Sequence, residues 1–239
     1  MPYQSVFKRY EIKYMLTLEQ KQRVLAAMEP YMAIDAYGRT TIRNIYFDTD
    51  TYRLIRKSIE KPKYKEKLRI RSYKRAKPDK PVFIELKKKY KSVVYKRRLS
   101  MPEKQAIDWI CNGKPSGLDT QISREIDYFL KYYENLRPTV LLSYEREAYY
   151  SRDGSDFRVT FDDNILSREE DISLEADVWG TPLLEDGMVL MEIKTSGGIP
   201  LWMTRVLSEE RVYKTSFSKY GTAYQKFIFP KLRGGYSHV

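Results

Sequence analysis

Leu68-Arg69-Ile70-Arg71 and Phe83-Ile84-Glu85-Leu86-Lys87 decide the fold, because charged residues recur two apart within strand-like sequence. Side chains alternate across a β-strand, so the charged residues of each stretch share one face and the apolar residues share the other. The same spacing recurs in Glu11-Ile12-Lys13, Lys96-Arg97-Arg98, Tyr144-Glu145-Arg146, Arg158-Val159-Thr160-Phe161-Asp162 and Glu192-Ile193-Lys194. These strands predict a shared, mostly basic surface. A sheet that closes on itself would turn that surface into a cationic lumen able to bind a polyanion.

The charge balance indicates an anionic partner. The 239 residues include 44 Lys and Arg against 32 Asp and Glu, which gives a formal net charge of +12 and a pI of about 9.5. This balance favours nucleic acid, polyphosphate, a nucleotide or an acidic membrane surface. The single cysteine, Cys111, excludes an intrachain disulfide framework, and the only histidine, His238, is the second-last residue. We therefore expect neither histidine-based catalysis nor a histidine-based metal site.

The sequence shows no sign of membrane insertion or export. It lacks an apolar run of about 18 residues and a signal-peptide pattern at Met1 to Tyr14. We expect a soluble, cytoplasmic chain without a transmembrane segment. No linker rich in Pro, Gly or Ser divides the sequence and no internal repeat is visible. We therefore expect a single domain that spans residues 1–239.

Alternating segments interrupted by helical patterns predict an α+β fold. Strands are predicted at 5–15, 42–48, 65–75, 81–88, 92–100, 139–150, 157–163 and 189–195. Asp153-Gly154 predicts a hairpin across 139–163, and Lys77-Pro78-Asp79-Lys80-Pro81 predicts a turn. Helices are predicted from Thr17 to near Pro30, from Ser100 to Gly113, from Ser123 to about Tyr133, and from near Ser218 to Phe229 before Pro230. Residues 164–188 are acidic and irregular, which indicates a loop or a short helical excursion.

A polar interior lined by cations would repel itself unless an anion were bound. About eight strands leave only a narrow interior, and arginine forks match the oxygens of phosphate groups. The acids Glu11, Glu85 and Glu192 share the parity of the cations, and their carboxylates suit Mg²⁺ or Mn²⁺ that also bridges to substrate phosphates. Cations that hold phosphates, together with metal-binding acids, are the minimum requirement for phosphoryl transfer. A P-loop enzyme is excluded, because no G-x-x-x-x-G-K-[ST] loop is present.

Eight motifs occur in an order that resembles the VTC domain, the polyphosphate polymerase branch of the triphosphate tunnel metalloenzymes (the CYTH superfamily). They are Arg9-Tyr10-Glu11-Ile12-Lys13-Tyr14, Ile45-Tyr46-Phe47-Asp48-Thr49, Leu68-Arg69-Ile70-Arg71, Phe83-Ile84-Glu85-Leu86-Lys87, Tyr144-Glu145-Arg146, Arg158-Val159-Thr160-Phe161-Asp162, Met191-Glu192-Ile193-Lys194 and Phe217-Ser218-Lys219-Tyr220. The resemblance covers about residues 5 to 228. Each motif is weak alone, whereas eight in order are fairly specific.

The resemblance implies an antiparallel, eight-stranded β-tunnel, a closed barrel with a polar cationic lumen and flanking helices. By motif, the phosphate-gripping and catalytic residues would be Lys13, Arg69, Arg71, Lys87, Arg146, Arg158 and Lys219. Further substrate contacts would come from Lys96, Arg98, Tyr144, Lys194 and Ser218. Glu192 would hold the Mn²⁺ or Mg²⁺, with Glu11 and Glu85 as further candidates. Members that are polymerases transfer the γ-phosphate of ATP to a growing polyphosphate chain and release ADP.

Two positions depart from the family pattern. The wider superfamily begins with Glu-x-Glu-x-Lys, and Arg9 stands here at the first acid, as in the VTC branch. A lysine often precedes the Ser-Lys motif by two residues, where this chain has Ser216 and carries Lys214 two residues earlier. The sequence contains neither the phosphate-sensing N-terminal domain nor the membrane segments of eukaryotic relatives, so it resembles the stand-alone bacterial type.

Four functions stay open at the level of sequence. The first is metal-dependent synthesis of polyphosphate from ATP, and the second is hydrolysis of inorganic triphosphate, polyphosphate or a nucleoside triphosphate in the same fold. The third is a non-catalytic module that binds polyphosphate. Nucleic-acid binding is the least favoured, because acids alternate with the cations and no RNA-binding aromatic motif is visible. The nucleotide preference, the metal and the oligomeric state do not follow from the sequence.

Overall fold

The computed structural model describes residues 10–91 and 93–234, and the fold is given for these residues. The expectations for residues 5–9, including Arg9, for position 92 and for His238 lie outside them. The strands are β1 Tyr10–Thr17, β2 Met32–Ile34, β3 Thr40–Asp48, β4 Tyr64–Ser72, β5 Pro81–Tyr90, β6 Val93–Pro102, β7 Arg137–Ser151, β8 Arg158–Arg168, β9 Thr181–Pro182, β10 Met188–Thr195 and β11 Lys214–Thr215. The helices are α1 Leu18–Met28, α2 Arg53–Ile59, α3 Glu103–Asn112, α4 Gln121–Tyr133, α5 Leu201–Glu209, α6 Lys219–Ala223 and α7 Phe229–Gly234, with a π-helical turn at Tyr224–Ile228.

Local signals place the first helices close to where the sequence predicts them. Thr17 and Gln20 form the predicted capping box of α1, with reciprocal hydrogen bonds of 3.1 and 3.0 Å. Helix α3 ends at Gly113, whose φ of +66° is the left-handed conformation that favours glycine. Helix α4 begins two residues earlier than predicted, because the side chain of Thr120 caps it.

Other elements differ from the sequence prediction. Helices α2 and α5 are not predicted, and the N-terminus of α2 is capped from a distance: Asp48 accepts hydrogen bonds from the amides of Leu54 and Ile55 at 2.8 and 2.9 Å. The C-terminal helix does not stop at Phe229. It continues through the π-helical turn into α7, so Pro230 does not end the helical segment.

All strands belong to one antiparallel sheet with flanking helices, in the order β11-β1-β10-β8-β7-β3-β4-β5-β6, while β2 pairs with β7 and β9 with β8. The prediction of eight strands is wrong in number, because β2, β9 and β11 are too short to show a period. Closure of the barrel by hydrogen bonds is not confirmed, since no pairing joins β11 to β6 in the described part of the chain. The edge of β1 is instead covered by β11.

The sheet nevertheless curves strongly toward one face. Lys87 on β5 and Glu11 on β1 lie near opposite ends of the strand order, yet their Nζ and Oε2 atoms are 2.8 Å apart. We call the face that carries Glu11, Arg69 and Lys87 the concave face, and the opposite face the convex face. The interior of the curve is therefore lined by the predicted polar parity.

The convex face is apolar and covered by helices. One core packs α3 and α4 on β4 and β5 through residues such as Ile84, Leu86 and Trp109. A second packs α1 and α5 on β1, β8 and β10, with Val159 and Ile193 at its centre. Burial of each large apolar side chain stabilises the fold by about 1.5–3 kcal/mol. This distribution explains how charged residues come to face inward.

The C-terminal helical segment occupies part of the concave side. Tyr220 and Tyr224 pack against Ile42, Leu142 and Leu190, which share the concave parity of their strands. The start of α6 also reaches the charged part of the concave face, because Ser218 contacts Lys67 and Lys219 contacts Asp162. The helices within residues 10–91 and 93–234 are too short or too polar to span a lipid bilayer.

Candidate functional site

The antiparallel register brings the charged residues of distant motifs onto the concave face. Directly opposed residues point to the same side of a sheet. The opposed pairs are Lys67 with Lys87, Arg69 with Glu85, Glu85 with Arg98, Lys87 with Lys96, Lys13 with Glu192, Glu11 with Lys194, and Arg146 with Asp162. Most of the residues predicted to bind substrate or metal therefore share one surface.

Glu85 is the buried centre of a cluster of half-buried cations, and its side chain is only 1% exposed. Arg69 donates from Nε and Nη2 to Oε2 at 2.8 and 2.6 Å, while its Nη1 donates to the hydroxyl of Tyr46 at 2.8 Å. Arg98 Nε and Lys96 Nζ both lie 2.7 Å from Oε1. Although burial would raise it, these cations hold the pKa of Glu85 well below its usual range. Burial and the adjacent arginines lower the pKa of Lys96 to about 7.

Arg71 is held by neutral partners beside this cluster. Its Nε donates to Asn44 Oδ1 at 2.8 Å and its Nη2 donates to the hydroxyl of Tyr144 at 3.1 Å. The phenol of Tyr144 is buried, which would raise its pKa, but Arg71, Arg146 and Lys219 lower it to about 8. Tyr144 is thus an acidic hydroxyl between cations, suited to donate to a phosphate oxygen.

Asp162 orients two of the predicted phosphate ligands. Arg146 makes a two-point contact with it, Nε to Oδ1 at 2.5 Å and Nη2 to Oδ2 at 2.6 Å. Lys219, the first residue of α6, donates to Oδ2 at 2.6 Å and lies 4.4 Å from the ring centroid of Tyr144. Burial opposes ionisation, but the two cations hold the pKa of Asp162 far below its ordinary value. The alternation pattern contains Asp162, yet sequence reasoning did not select it as a site residue.

Glu11 and Glu192 lie on the neighbouring strands β1 and β10, each paired with lysines. Glu192 Oε2 is 2.9 Å from Lys194 Nζ, its Oε1 is 3.9 Å from Lys13 Nζ, and Glu11 Oε2 is 2.8 Å from Lys87 Nζ. Burial would raise the pKa of Glu192, but its cationic neighbours keep it well below the usual range. Lys13 Nζ also donates to the carbonyl oxygen preceding Ser218 at 2.7 Å, and burial lowers the pKa of Lys13 to about 8.

These donors differ in how well they suit a divalent metal. In residues 10–91 and 93–234, no three His, Cys, Asp or Glu side chains come together as a ready-made cage. Mg²⁺ needs no such cage, because it is usually held by one or two carboxylates together with substrate phosphates and water. Glu11 and Glu192 fit that requirement, since their described partners are lysines, whose single ammonium groups are carried on flexible side chains. Glu85 does not fit, because two arginines and a lysine occupy its oxygens.

Lys67 is a concave-face residue that sequence reasoning missed. Its Nζ lies 3.1 Å from Ser218 Oγ, and the same hydroxyl caps α6 by accepting from the amide of Gly221 at 3.2 Å. Burial and the nearby lysines, with Arg69, lower its pKa to about 7. The spacing of charged residues two apart could have identified it, because Lys67, Arg69 and Arg71 follow one another at that spacing.

Three positions considered from the sequence lie outside the buried clusters of the concave face. Arg158 is exposed at the start of β8 opposite Lys194, so it does not belong to the buried clusters. Ser216 is exposed between β11 and α6. Lys214 lies opposite Tyr14, a residue of the convex core, so it does not place a cation where the family lysine would stand.

Comparisons with known proteins agree with this architecture. A model of the VTC domain matches residues 8–228. A candidate adenylate cyclase from Bacillus halodurans is similar in structure, with 14% identity over 92% of this chain and 99% of its own and a TM-score of 0.55. A candidate adenylyl cyclase from Hippeastrum, described as having a dominant triphosphatase activity, has 15% identity over 92% and 95% and a TM-score of 0.56. Such identities show the fold alone. No curated protein matches the chain by sequence.

Proposed function

This chain belongs to the VTC domain family, and from that premise we propose metal-dependent phosphoryl transfer on a triphosphate or polyphosphate. The observation that carries the proposal is the excess of positive charge on the concave face. Its cations are Lys13, Lys67, Arg69, Arg71, Lys87, Lys96, Arg98, Arg146, Lys194 and Lys219, whereas its described carboxylates are Glu11, Glu85, Asp162 and Glu192. A bound polyphosphate would offset this excess.

The arginines of the concave face are proposed to bind phosphates, and the carboxylates of Glu85 and Asp162 to orient two of those arginines. Arg69 and Arg146 are fixed by Glu85 and Asp162, which leaves Arg71, with only neutral partners, free to offer its full charge. Guanidinium groups bind phosphate oxygens with two parallel hydrogen bonds, which fixes the position of the chain. The remaining phosphate oxygens would be neutralised by Lys13, Lys87, Lys96 and Lys219.

Glu192 and Glu11 are the residues that would hold Mn²⁺ or Mg²⁺. When bound, such an ion supplies neutralisation of charge on the transferred phosphoryl group. The role of this chain's residues is to position the donor and acceptor phosphates in line, because phosphoryl transfer depends mainly on positioning and charge. Lys194 and Lys13 would release Glu192 toward the ion and turn to the phosphates instead.

Polyphosphate synthesis from ATP is the reaction we favour. A terminal oxygen of the growing chain would attack the γ-phosphorus, a new P–O–P link would form, and the bond from the γ-phosphorus to the β–γ bridging oxygen would break, releasing ADP. The acceptor is already an anion, so no base is needed. Each described carboxylate of the concave face has a cation partner, which makes it a poor general base for water.

Two other functions use the same face. A triphosphatase would replace the phosphate acceptor by water, and the activity described for the Hippeastrum protein motivates this alternative. A module that only binds polyphosphate would need the cations but no metal. In either case we propose that residues 1–239 act as one domain in the cytoplasm.

One assay separates these functions. Purified protein is incubated with ATP and Mn²⁺ or Mg²⁺, and ADP, free phosphate and polymer are followed on one time course. ADP with polymer and little free phosphate supports synthesis. ADP with an equal amount of free phosphate supports hydrolysis and contradicts synthesis. Binding of polyphosphate without any turnover contradicts both catalytic functions.

A further inference from the structure

Strands β4 and β5 carry two consecutive lysine–lysine pairs directly opposite each other. Lys67 faces Lys87, and Lys65 faces Lys89 one pair further along the same side of the sheet. Like charges at directly opposed positions destabilise a sheet. A sequence that places them twice in succession indicates a function that outweighs this cost.

In the described part of the chain, the outer pair is not neutralised by carboxylates. Lys65 Nζ contacts the carbonyl oxygen of Ser58 at 3.1 Å, and within residues 10–91 and 93–234 neither Lys65 nor Lys89 forms an ion pair. Burial lowers the pKa of Lys65, and so do the neighbouring charges of Lys89, Lys87 and Lys61. The outer lysines thus form a region of unneutralised positive charge that continues from the concave face.

Lys65 and Lys89 lie one pair beyond Lys67 and Lys87, on the side away from the clusters around Glu85 and Asp162. Lys65 is four residues from Arg69, which is about 13 Å along a strand. This distance exceeds the length of a triphosphate group. The amide of Lys91 donates to the carbonyl oxygen of Lys63 at 2.9 Å, so the lysine-rich ends of β4 and β5 stay together beyond Lys65 and Lys89. Lys61, Lys63 and Lys91 are exposed there.

We propose that Lys65 and Lys89, with Lys61, form an extension site that binds the phosphates of a long polyphosphate chain beyond the three held by the arginines. This inference rests on the proposed function, in that the arginine clusters hold the first phosphates. Long chains gain the extra contacts, whereas a tripolyphosphate held by Arg69, Arg71 and Arg146 would end before Lys65 and Lys89. The extension site would make the protein favour long chains over short ones.

The test compares the double variant Lys65→Ala/Lys89→Ala with Lys104→Ala/Lys131→Ala, which removes the same charge from the convex helices α3 and α4. Binding of tripolyphosphate and of a polyphosphate of about 100 phosphates is measured by calorimetry at several salt concentrations. We expect the first variant to bind the long chain about tenfold more weakly, with a salt slope reduced by about two, and tripolyphosphate within twofold of wild type. The control variant should match the wild type for both ligands.

Equal losses for both ligands would overturn the extension site, because they would place Lys65 and Lys89 among the residues that hold the first phosphates. Unchanged long-chain binding would overturn it as well. Circular dichroism and thermal unfolding establish that both variants fold. Failure of the proposed function looks different: wild-type protein would then bind tripolyphosphate no better than sulfate, or would show no turnover while the chain-length effect persists.

Discussion

Lys67 Nζ lies 3.1 Å from Ser218 Oγ, although the two residues are 151 positions apart in the chain. The contact joins strand β4 to Ser218, the residue that caps helix α6. It also holds an amine among other cations, away from any carboxylate partner in the described residues. The ionisation of Lys67 therefore depends on whether an anion is bound.

This arrangement predicts proton uptake on binding. Lys67 has a pKa of about 7, so it is mostly neutral at pH 8 in the free protein, and a bound triphosphate would raise its pKa and charge it. We expect tripolyphosphate affinity to fall as the pH rises from 6 to 8. In Lys67→Met, the uptake at pH 8 should decrease by about one proton. Calorimetry in buffers of different ionisation enthalpy measures the number of protons taken up on binding, with Lys104→Met as the control. Unchanged proton uptake in Lys67→Met would show that Lys67 is not the group that gains the proton.

Removal of the Glu85 carboxylate should destabilise the free protein. Glu85→Gln leaves the half-buried Arg69, Arg98 and Lys96 without their counterion, a change that costs about 3–5 kcal/mol at a fully buried ion pair and less where the cations reach solvent. Added tripolyphosphate should restore much of the lost stability by replacing the missing anion. Thermal unfolding with and without ligand measures this. Glu60→Gln, which removes the same single negative charge at an exposed position, serves as control. A variant as stable as wild type would show that the cluster needs no counterion.

Asp162 should contribute to the acid sensitivity of the fold. Its pKa is depressed in the folded state, so its stabilising effect is present above the unfolded value of about 3.9 and is lost as the pH falls below it. Asp162→Asn should be less stable than wild type at pH 7, and the difference should shrink between pH 4 and pH 2. Urea unfolding at a series of pH values tests this against the exposed Asp79→Asn. A constant difference would mean that Asp162 is not ionised in the fold.

Glu192 should matter for turnover and little for binding. Glu192→Gln removes one of two proposed metal-binding carboxylates, so metal-dependent turnover of ATP should fall by about 100-fold or more. Tripolyphosphate binding measured in EDTA should be retained, because the cations remain. Wild-type turnover in this variant would remove Glu192 from the metal site. Glu11→Gln should show a smaller loss, which a titration with Mn²⁺ would reveal as a weaker apparent metal affinity.

Arg69 and Arg71 should carry much of the affinity for phosphates. Replacement of either by alanine removes a charge-assisted contact worth about 1.5–3 kcal/mol, which corresponds to a loss of roughly 10- to 100-fold in tripolyphosphate affinity. Arg71→Ala should leave the stability largely unchanged, because the partners of Arg71 are neutral, whereas Arg69→Ala should be less stable than wild type, because it removes one counterion of the buried Glu85. Circular dichroism checks that both variants are folded before binding is measured. Arg124→Ala, an exposed position on α4, is the charge-matched control. Unchanged binding in both variants would show that the concave face is not the binding surface.

The sequence predicted the polar parity of the strands, the capping of α1 and the family, and the family and the antiparallel α+β architecture are confirmed. These features are local, because alternation and caps are set by residues within a few positions of each other. It did not predict α2, whose amides are bound by Asp48 rather than by an adjacent cap. It also missed β11, which covers the edge of β1 where closure of the barrel was expected.

The partners of the charged residues were beyond the reach of the sequence. The sequence by itself determined which side chains share a face, since alternation is imposed by the local backbone of a strand and does not depend on distant parts of the chain. Only the tertiary structure decided that Glu85 is enclosed by cations while Glu11 and Glu192 keep lysine partners, because register and curvature place Lys87 against Glu11 across 76 positions. The same packing places Lys67 among cations and so lowers its pKa, a property that depends on burial and neighbouring charge and not on residue type.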